Sequence, residues 1–322
     1  MAFGDPGTTR RKVTQLPPIT KPTGGGVATI VNLPRVGLLQ AVYLAIRGTV
    51  SGSISAPNAF GFSSVIQNIT LSINSGISLF SMSGQGYNYL LRPYQGLGSD
   101  PVPQSTARNA VTATTFNADM IIPVAMNARD PLGLIMLQSE QTLLTLNVTF
   151  LPDASVATGA TVSCTITPYI VWFTVPANQK DWPNLGVAHQ ILEDQQSVPA
   201  TGQFTYNWQR GNIYLQTIHG LGFGASGADN WSHSQLRVNQ SDYIYDQDPS
   251  GYDLESNNFT IGHTRPAGVI PYDLIGTAGF GDFDMTRDTI DSSQLTDLAT
   301  VLTATATGTL YTMRRQLVPI GG

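Results

Sequence analysis

Three short patterns in this 322-residue chain place chemistry-bearing residues at suggestive spacings. Gly222-x-Gly224-x-x-Gly227 has the glycine spacing of a dinucleotide-binding loop and follows an apolar, strand-like run. Such a loop works only when a helix N-terminus comes next to hold the pyrophosphate. Here Ala228-Asp229-Asn230-Trp231-Ser232-His233-Ser234 leads into another strand, and a chain with 32 glycines meets this pattern by chance. Asp282-x-Asp284-x-Thr286 has the spacing of an aspartate nucleophile and its acid/base partner in phosphoryl transfer. That chemistry needs the first aspartate at the end of a buried parallel strand, whereas Gly276-Thr277-Ala278-Gly279-Phe280-Gly281 before it reads as a loop. Asp246-x-Asp248-x-Ser250-Gly251 opens like a calcium loop, with oxygen donors at alternate positions and a turn glycine. Position twelve is Asn257 rather than a closing glutamate, and Asp253 and Glu255 are out of register. A solvated acidic turn is the favoured reading there, with structural calcium left as the alternative.

The remaining reactive side chains form no constellation. His189, His219, His233 and His263 lack ligand spacing. There is no Gly-x-Ser-x-Gly elbow, and Cys164, the single cysteine, sits in an alternating apolar stretch as a buried small hydrophobe. Asn-x-Ser/Thr sequons at Asn68, Asn147, Asn230, Asn239 and Asn258 are what an Asn- and Thr-rich chain throws up by chance. Of the tryptophans, Trp172 reads as core, Trp182 and Trp208 as residues packing two domains together, and Trp231 as part of a polar loop. The expectation is no catalytic residue, no cofactor and no metal.

Charged residues make up only 11 % of the chain, against roughly 25 % in an average soluble domain. Net charge normally keeps proteins apart, so a weakly charged surface suits dense self-assembly or a Thr/Ser-rich β-domain. The formal charge is −5, and lysine occurs only at Lys12, Lys21 and Lys180. Beyond Arg314-Arg315 the body has no basic cluster of the kind nucleic-acid binding requires. The one longer basic run, Arg10-Arg11-Lys12, lies in a segment with Pro17, Pro18, Pro22 and Gly24-Gly25-Gly26 that is either extended or flexible. Its two readings are a solvated tail, or an arm reaching a neighbouring subunit, a membrane surface or a packaged genome. No apolar run approaches the roughly 18 residues of a membrane-spanning helix, and no secretory h-region is present. A soluble protein is expected.

The elements that would carry such residues are mostly strands. Short Val/Ile/Thr/Tyr/Phe-rich runs bounded by Gly, Pro, Asn and Ser predict strands over Leu38–Val50, Val65–Ile73, Ile77–Met82, Met120–Met126, Leu132–Leu137, Thr142–Phe150 and Thr161–Val175. Helical periodicity is confined to Tyr87–Leu91 and Asp291–Thr300. Segments of the first half also recur in order in the second. Leu38–Val50 matches Ile213–Phe223, Ile66–Leu71 matches Leu236–Ser241, Gly86-Tyr87-Asn88 matches Gly251-Tyr252-Asp253, Ile121-Ile122-Pro123 matches Val269-Ile270-Pro271, and Thr165–Trp172 matches Thr309–Gln316. The offset shrinks along the chain, so the second copy has the shorter loops. A repeat of roughly 150 residues is a whole domain rather than a solenoid unit. With about eight strands per copy and few two-residue hairpins, a jelly roll fits better than an up-and-down barrel. The expected class is all-β: two tandem eight-stranded jelly rolls with a few short helices. The expected domains are residues 1–34 as an extended N-terminal arm, 35–180 as the first roll and 181–322 as the second with a short C-terminal tail.

In this arrangement the chain resembles the double jelly-roll major capsid proteins of the tectivirus type. The resemblance rests on Arg35-Val36-Gly37-Leu38-Leu39 after the arm, Gly84-Gln85-Gly86-Tyr87-Asn88-Tyr89-Leu90, Arg265-Pro266-Ala267-Gly268-Val269-Ile270-Pro271-Tyr272-Asp273, and the tail Leu317–Gly322. It implies a non-enzymatic virion protein, assembled in the host cytoplasm, whose pseudo-hexagonal homotrimers tile an icosahedral shell. It further implies neighbouring capsomers, penton and minor capsid proteins as partners, and an internal viral membrane that Arg10, Arg11 and Lys12 could touch through anionic headgroups. Two rivals remain: a tandem β-sandwich that binds or cleaves carbohydrate, and a viral spike protein.

Overall fold

The structure, a computed structural model, describes residues 9–57, 60–74, 76–95, 114–126, 132–139, 142–223, 228–257, 265–274 and 289–320. Strands account for 57 % of the described residues and helices for 14 %, so the class is all-β. The chain divides into two compact units. The first comprises Met1–Gln85, Val102–Ile191 and Leu317–Gly322; the second comprises Gly86–Pro101 and Leu192–Gln316.

In the first unit the strands are β1 (Arg11–Gln15), β2 (Ile19–Thr20), β3 (Gly26–Asn32), β4 (Leu38–Pro57), β5 (Ile66–Ile73), β6 (Ile77–Met82), β7 (Thr114–Pro123), β8 (Ile135–Met136), β9 (Leu144–Phe150) and β10 (Ala157–Phe173). One sheet runs β1-β10-β4-β7, with β2 beside β10 and β8 beside β4; another runs β6-β5-β9-β3. The pairings are antiparallel, and β4 lies along β10 from Leu38↔Phe173 to Pro57↔Ala157. Burial alternates as a half-buried strand requires. Val42, Leu44 and Ile46 are buried, while Arg47 and Thr49 point outward. On the outward side Arg47 donates to Asp119 Oδ1 at 2.7 Å, and Thr49 and Ser163 share a hydroxyl bond of 2.7 Å.

β11 (Val187–Val198) leaves the first unit and enters the second, where β12 (Gly202–Asn207), β13 (Ile213–Leu221), β14 (Trp231–Val238), β15 (Asp242–Gln247), β16 (Val269–Asp273), β17 (Ile290–Asp291), β18 (Leu298–Ala304) and β19 (Gly308–Pro319) follow. The pairings repeat those of the first unit, except that β2 beside β10 has no counterpart among the described pairings of the second. β19-β13-β16 answers β10-β4-β7, β17 joins β13 as β8 joins β4, and β11 flanks β19 as β1 flanks β10. Likewise β15-β14-β18-β12 answers β6-β5-β9-β3. Three of the sequence matches fall on equivalent pairs, β4 with β13, β7 with β16 and β10 with β19, whereas Leu236–Ser241 overlaps β14 only over Leu236–Val238 and runs into the turn after it. Tyr87 and Tyr252 occupy the helical turn after β6 or β15, and both are buried. The internal duplication is therefore one of topology as well as of sequence.

Some expectations need correcting. Asp291–Thr300 is no helix: β17 and a 3-10 turn at Ser292–Gln294 precede β18. The spacing of Leu295, Leu298 and Val301 imitates a helical stripe, but Leu298–Leu302 is buried on both faces between β12 and β14, which suits its Thr and Val side chains. β7 begins earlier than the apolar run at Met120 suggests, and within Leu132–Leu137 only Ile135–Met136 is strand.

Candidate functional site

The acidic turn is built for structure. Asp248 Oδ1 accepts from the Gly251 amide at 2.9 Å and so caps the helix Pro249–Glu255. Asp246 Oδ1 faces His233 Nε2 at 2.9 Å and accepts from Gln235 Nε2 at 3.1 Å. Neither carboxylate converges with the other on a common point, and no cluster of three His, Cys, Asp or Glu suited to a metal occurs among the described residues. Gly222 closes β13 at φ +71°, while Gly224 and Gly227, with Asp282 and Asp284, lie outside the described residues, as does His263. Cys164 is buried, and burial pushes its thiol up to about 12, far from a reactive thiolate.

The densest polar construction is one the sequence reading missed, at Arg265. Its guanidinium, 1 % exposed, donates to both oxygens of Asp229 at 2.7 and 2.9 Å and lies 3.0 Å from Asp253 Oδ1. It also donates to the carbonyls of Val269 at 2.9 Å and Pro249 at 3.3 Å, and stacks 5.1 Å over the Trp231 ring. Planar bidentate geometry is what arginine offers and lysine does not. Burial raises the Asp229 carboxyl, but hydrogen bonds from Arg265 and the Gly268 amide outweigh it and hold it below its ordinary value. Gly268 itself sits at φ +80°, with no room for a Cβ beside the Leu221 carbonyl, so the turn that brings its amide to Asp229 requires glycine. One side chain thus ties together the entrance to β14, the helix Pro249–Glu255 and the start of β16.

Deeper in the same unit, His219 is fully buried between Thr312 Oγ1 at Nδ1 and Thr300 Oγ1 at Nε2, both 2.8 Å. Thr300 also accepts from Trp208 Nε1 at 2.9 Å. Desolvation lowers the imidazole to about 3, so it is neutral, donating at one nitrogen and accepting at the other. This arrangement joins the sheet of β13 and β19 to that of β18 and offers no open position for a substrate. Trp208 therefore belongs to the core of the second unit, packed on Tyr214 with centroids 4.8 Å apart, rather than serving to pack two domains. Trp231 is 1 % exposed at the start of β14, not in a polar loop, while Trp172 is half-buried. Trp182 donates to the Pro176 carbonyl at 3.0 Å.

Arg10, Arg11 and Lys12 lie in and beside β1, whose register on β10 runs from Arg11↔Phe173 to Gln15↔Tyr169. Of the two conformations open to this segment, extended is the one adopted. The Arg11 guanidinium reaches Gln40 Oε1 at 3.4 Å and the Tyr43 hydroxyl at 3.2 Å; Lys12 Nζ lies 5.1 Å over the Trp172 ring. Further along, Ile19 is buried and Lys21 pairs with Asp153, which anchors the stretch before the glycine turn. All three cations remain exposed.

No family model and no curated protein matches this sequence. Solved structures do match, along nearly its whole length. The major capsid protein of STIV superposes with a TM-score of 0.74 at 15 % identity, over 96 % of this chain and 97 % of that one. A chain of the PBCV-1 virus capsid gives 0.66 at 13 %, over 96 % and 93 %. The major capsid protein P2 from Bacteriophage PM2 gives 0.59 at 11 %, over 97 % and 98 %. The fold is a double jelly roll. In the double jelly roll, the strand correspondence above gives each roll a pair of sheets with a four-stranded core order, and the helical turns at Tyr87 and Tyr252 are equivalent insertions after β6 and β15.

Proposed function

We propose that this chain is a major capsid protein whose work is geometric: it self-associates into capsomers that tile an icosahedral virus shell. The observation that carries this reading is a whole-chain likeness, with near-complete coverage on both sides, to shell-forming proteins of the same duplicated topology. Two copies of one fold in one chain offer two similar sets of outer surfaces, so three chains approximate a six-fold object. The proposed protomer in the shell is arm 1–34, roll 35–180 and roll 181–322, with the virion as its location after assembly in the host cytoplasm. Penton and minor capsid proteins, and an internal membrane, are its further proposed partners. A non-enzymatic role agrees with the structural duties of the candidate residues: Asp248 caps a helix, Asp229 holds Arg265, and His219 is kept neutral in the core.

Arg10, Arg11 and Lys12 are proposed as the contact to neighbours or anionic headgroups. Removing residues 1–25 would also strip β1 and β2 from β10, so charge reversal at these positions is the cleaner probe. The function is tested by light scattering and negative-stain imaging of the native protein. A stable species near three times 34.5 kDa with a hexagonal outline is expected. A monomer at every concentration would sink the reading and redirect effort to glycan binding.

A further inference from the structure

Among the described residues, β1 and β15 are terminal strands of their sheets, and they carry opposite charge. β1 ends the order β1-β10-β4-β7, and β15 ends the order β12-β18-β14-β15. Arg10-Arg11-Lys12-Val13-Thr14-Gln15 holds three cations and no anion; Asp242-Tyr243-Ile244-Tyr245-Asp246-Gln247-Asp248 holds three carboxylates and no cation. Both edges also expose apolar side chains: Val13 is 53 % exposed, Tyr243 48 % and Ile244 47 %, with Leu254 at 62 % on the adjoining helix. An edge strand with free backbone groups is a template for another chain, and proteins guard such edges with charge. Here the guard is selective. Two β1 edges repel each other, as do two β15 edges, whereas a β1 edge meeting a β15 edge is attractive in charge and buries apolar surface.

We infer that β1 of one copy docks on β15 of a second copy, edge to edge, as the contact that builds the capsomer. The inference rests on the self-association proposed above and specifies its chemistry. Because the two surfaces differ, the contact is heterologous: it propagates head to tail and makes a ring when its rotation closes, as a capsomer requires, whereas an isologous pair would stop at two. Strand addition supplies backbone hydrogen bonds, and the charges set polarity and partner.

Charge exchange tests this. Arg11→Glu with Lys12→Glu, and separately Asp242→Lys with Asp246→Lys, are each expected to raise the concentration needed for association about tenfold or more at low salt. Circular dichroism checks that each variant folds. Uniting all four substitutions in one chain restores complementarity and is expected to restore association. Unchanged association in both double variants, or no recovery in the combined one, overturns the β1–β15 contact while leaving the capsid reading intact. A monomeric parent protein overturns both. Independently, a mixture of Val13→Cys and Tyr243→Cys proteins is expected to form an intermolecular disulfide on mild oxidation, the native Cys164 being buried. A mixture that yields no mixed dimer, in a parent that associates, overturns the contact.

Discussion

The two rolls share a wiring diagram and differ in what fills it. The first is packed largely with aliphatic side chains: Val42, Leu44, Ile46, Ile69, Leu71, Leu146, Val148, Ile166 and Ile170 are all buried. The second is aromatic and polar. Trp208, Tyr214, His219, Tyr272, Tyr252 and Trp231 form a continuous chain of ring contacts with centroids 4.8 to 6.4 Å apart. Aliphatic side chains need only volume and a low-energy rotamer. Buried indoles, phenols and imidazoles also need hydrogen-bond partners. The second roll supplies Thr300, Thr312 and Ser234 at facing positions. Strand order is therefore set by where burial alternates and where the chain turns, and it tolerates either filling. That tolerance explains why two copies with the same pairings retain so little identity.

The comparison breaks most sharply at Arg265, which holds the second roll together from a single buried charge. Arg265→Ala removes both guanidinium bonds to the half-buried Asp229, which keeps only the Gly268 amide, and breaking a fully buried ion pair costs about 3–5 kcal/mol, so a loss below that range is expected here. The expected result is a large fall in the urea midpoint followed by Trp208 and Trp231 fluorescence, with lysine failing to rescue because it cannot span both carboxylate oxygens. The aliphatic roll should break by a different route. Leu146 is fully buried, and Leu146→Ala should cost about 2–5 kcal/mol through lost burial and a residual cavity, read from the same denaturation with far-ultraviolet dichroism. A loss under about 1 kcal/mol would show that the first roll collapses around the gap and is less tightly packed than its burial implies.

Much of this layout is legible locally, and what is not legible is long-range. The alternation of Ile69, Leu71 and Ile73 against Thr70 and Ser72 states a half-buried strand outright, and β5 occupies it. Leu298–Leu302 has no alternation because both faces are covered, so its spacing passes for a helix. Trp231 sits between Asn230 and Ser232, which look like a loop, yet it is the inward residue at a strand's start. Arg265 gives no sign of its role, because Asp229, Pro249 and Asp253 are brought to it only by the fold. The basic run at Arg10 shows its charge but not its strand, since its partner β10 begins far along the chain at Ala157.

His219, one of two buried histidines among the described residues, gives the second roll a pH dependence of its own. His219 lies at about 3 in the folded protein against an ordinary 6.5, so the unfolded chain binds a proton that the folded chain refuses. Its contribution to stability is fully present above pH 6.5 and is lost as the pH falls from there toward 3, at up to about 1.4 kcal/mol per pH unit. His219→Gln should flatten this dependence between pH 6.5 and 4 when stability is compared with the parent protein, whatever its cost at neutral pH. An unchanged slope would mean the ring is protonated in the core or reached by water.

The smallest effect is expected on the outward side of the first roll, at the Arg47–Asp119 pair. Its geometry is good, at 2.7 Å, but the side chains are 51 % and 69 % exposed. Exposed pairs gain little over solvent and are screened by salt, so the interaction should be worth about 0.2–1 kcal/mol at low ionic strength and fade above it. A double-mutant cycle through Arg47→Ala and Asp119→Ala in the isolated protein isolates that figure. The same cycle in assembled particles is the sharper measurement, because association that covers β4 and β7 would desolvate the pair. A coupling that stays small in both states leaves this side facing solvent, whereas one that grows on assembly assigns it to an interface.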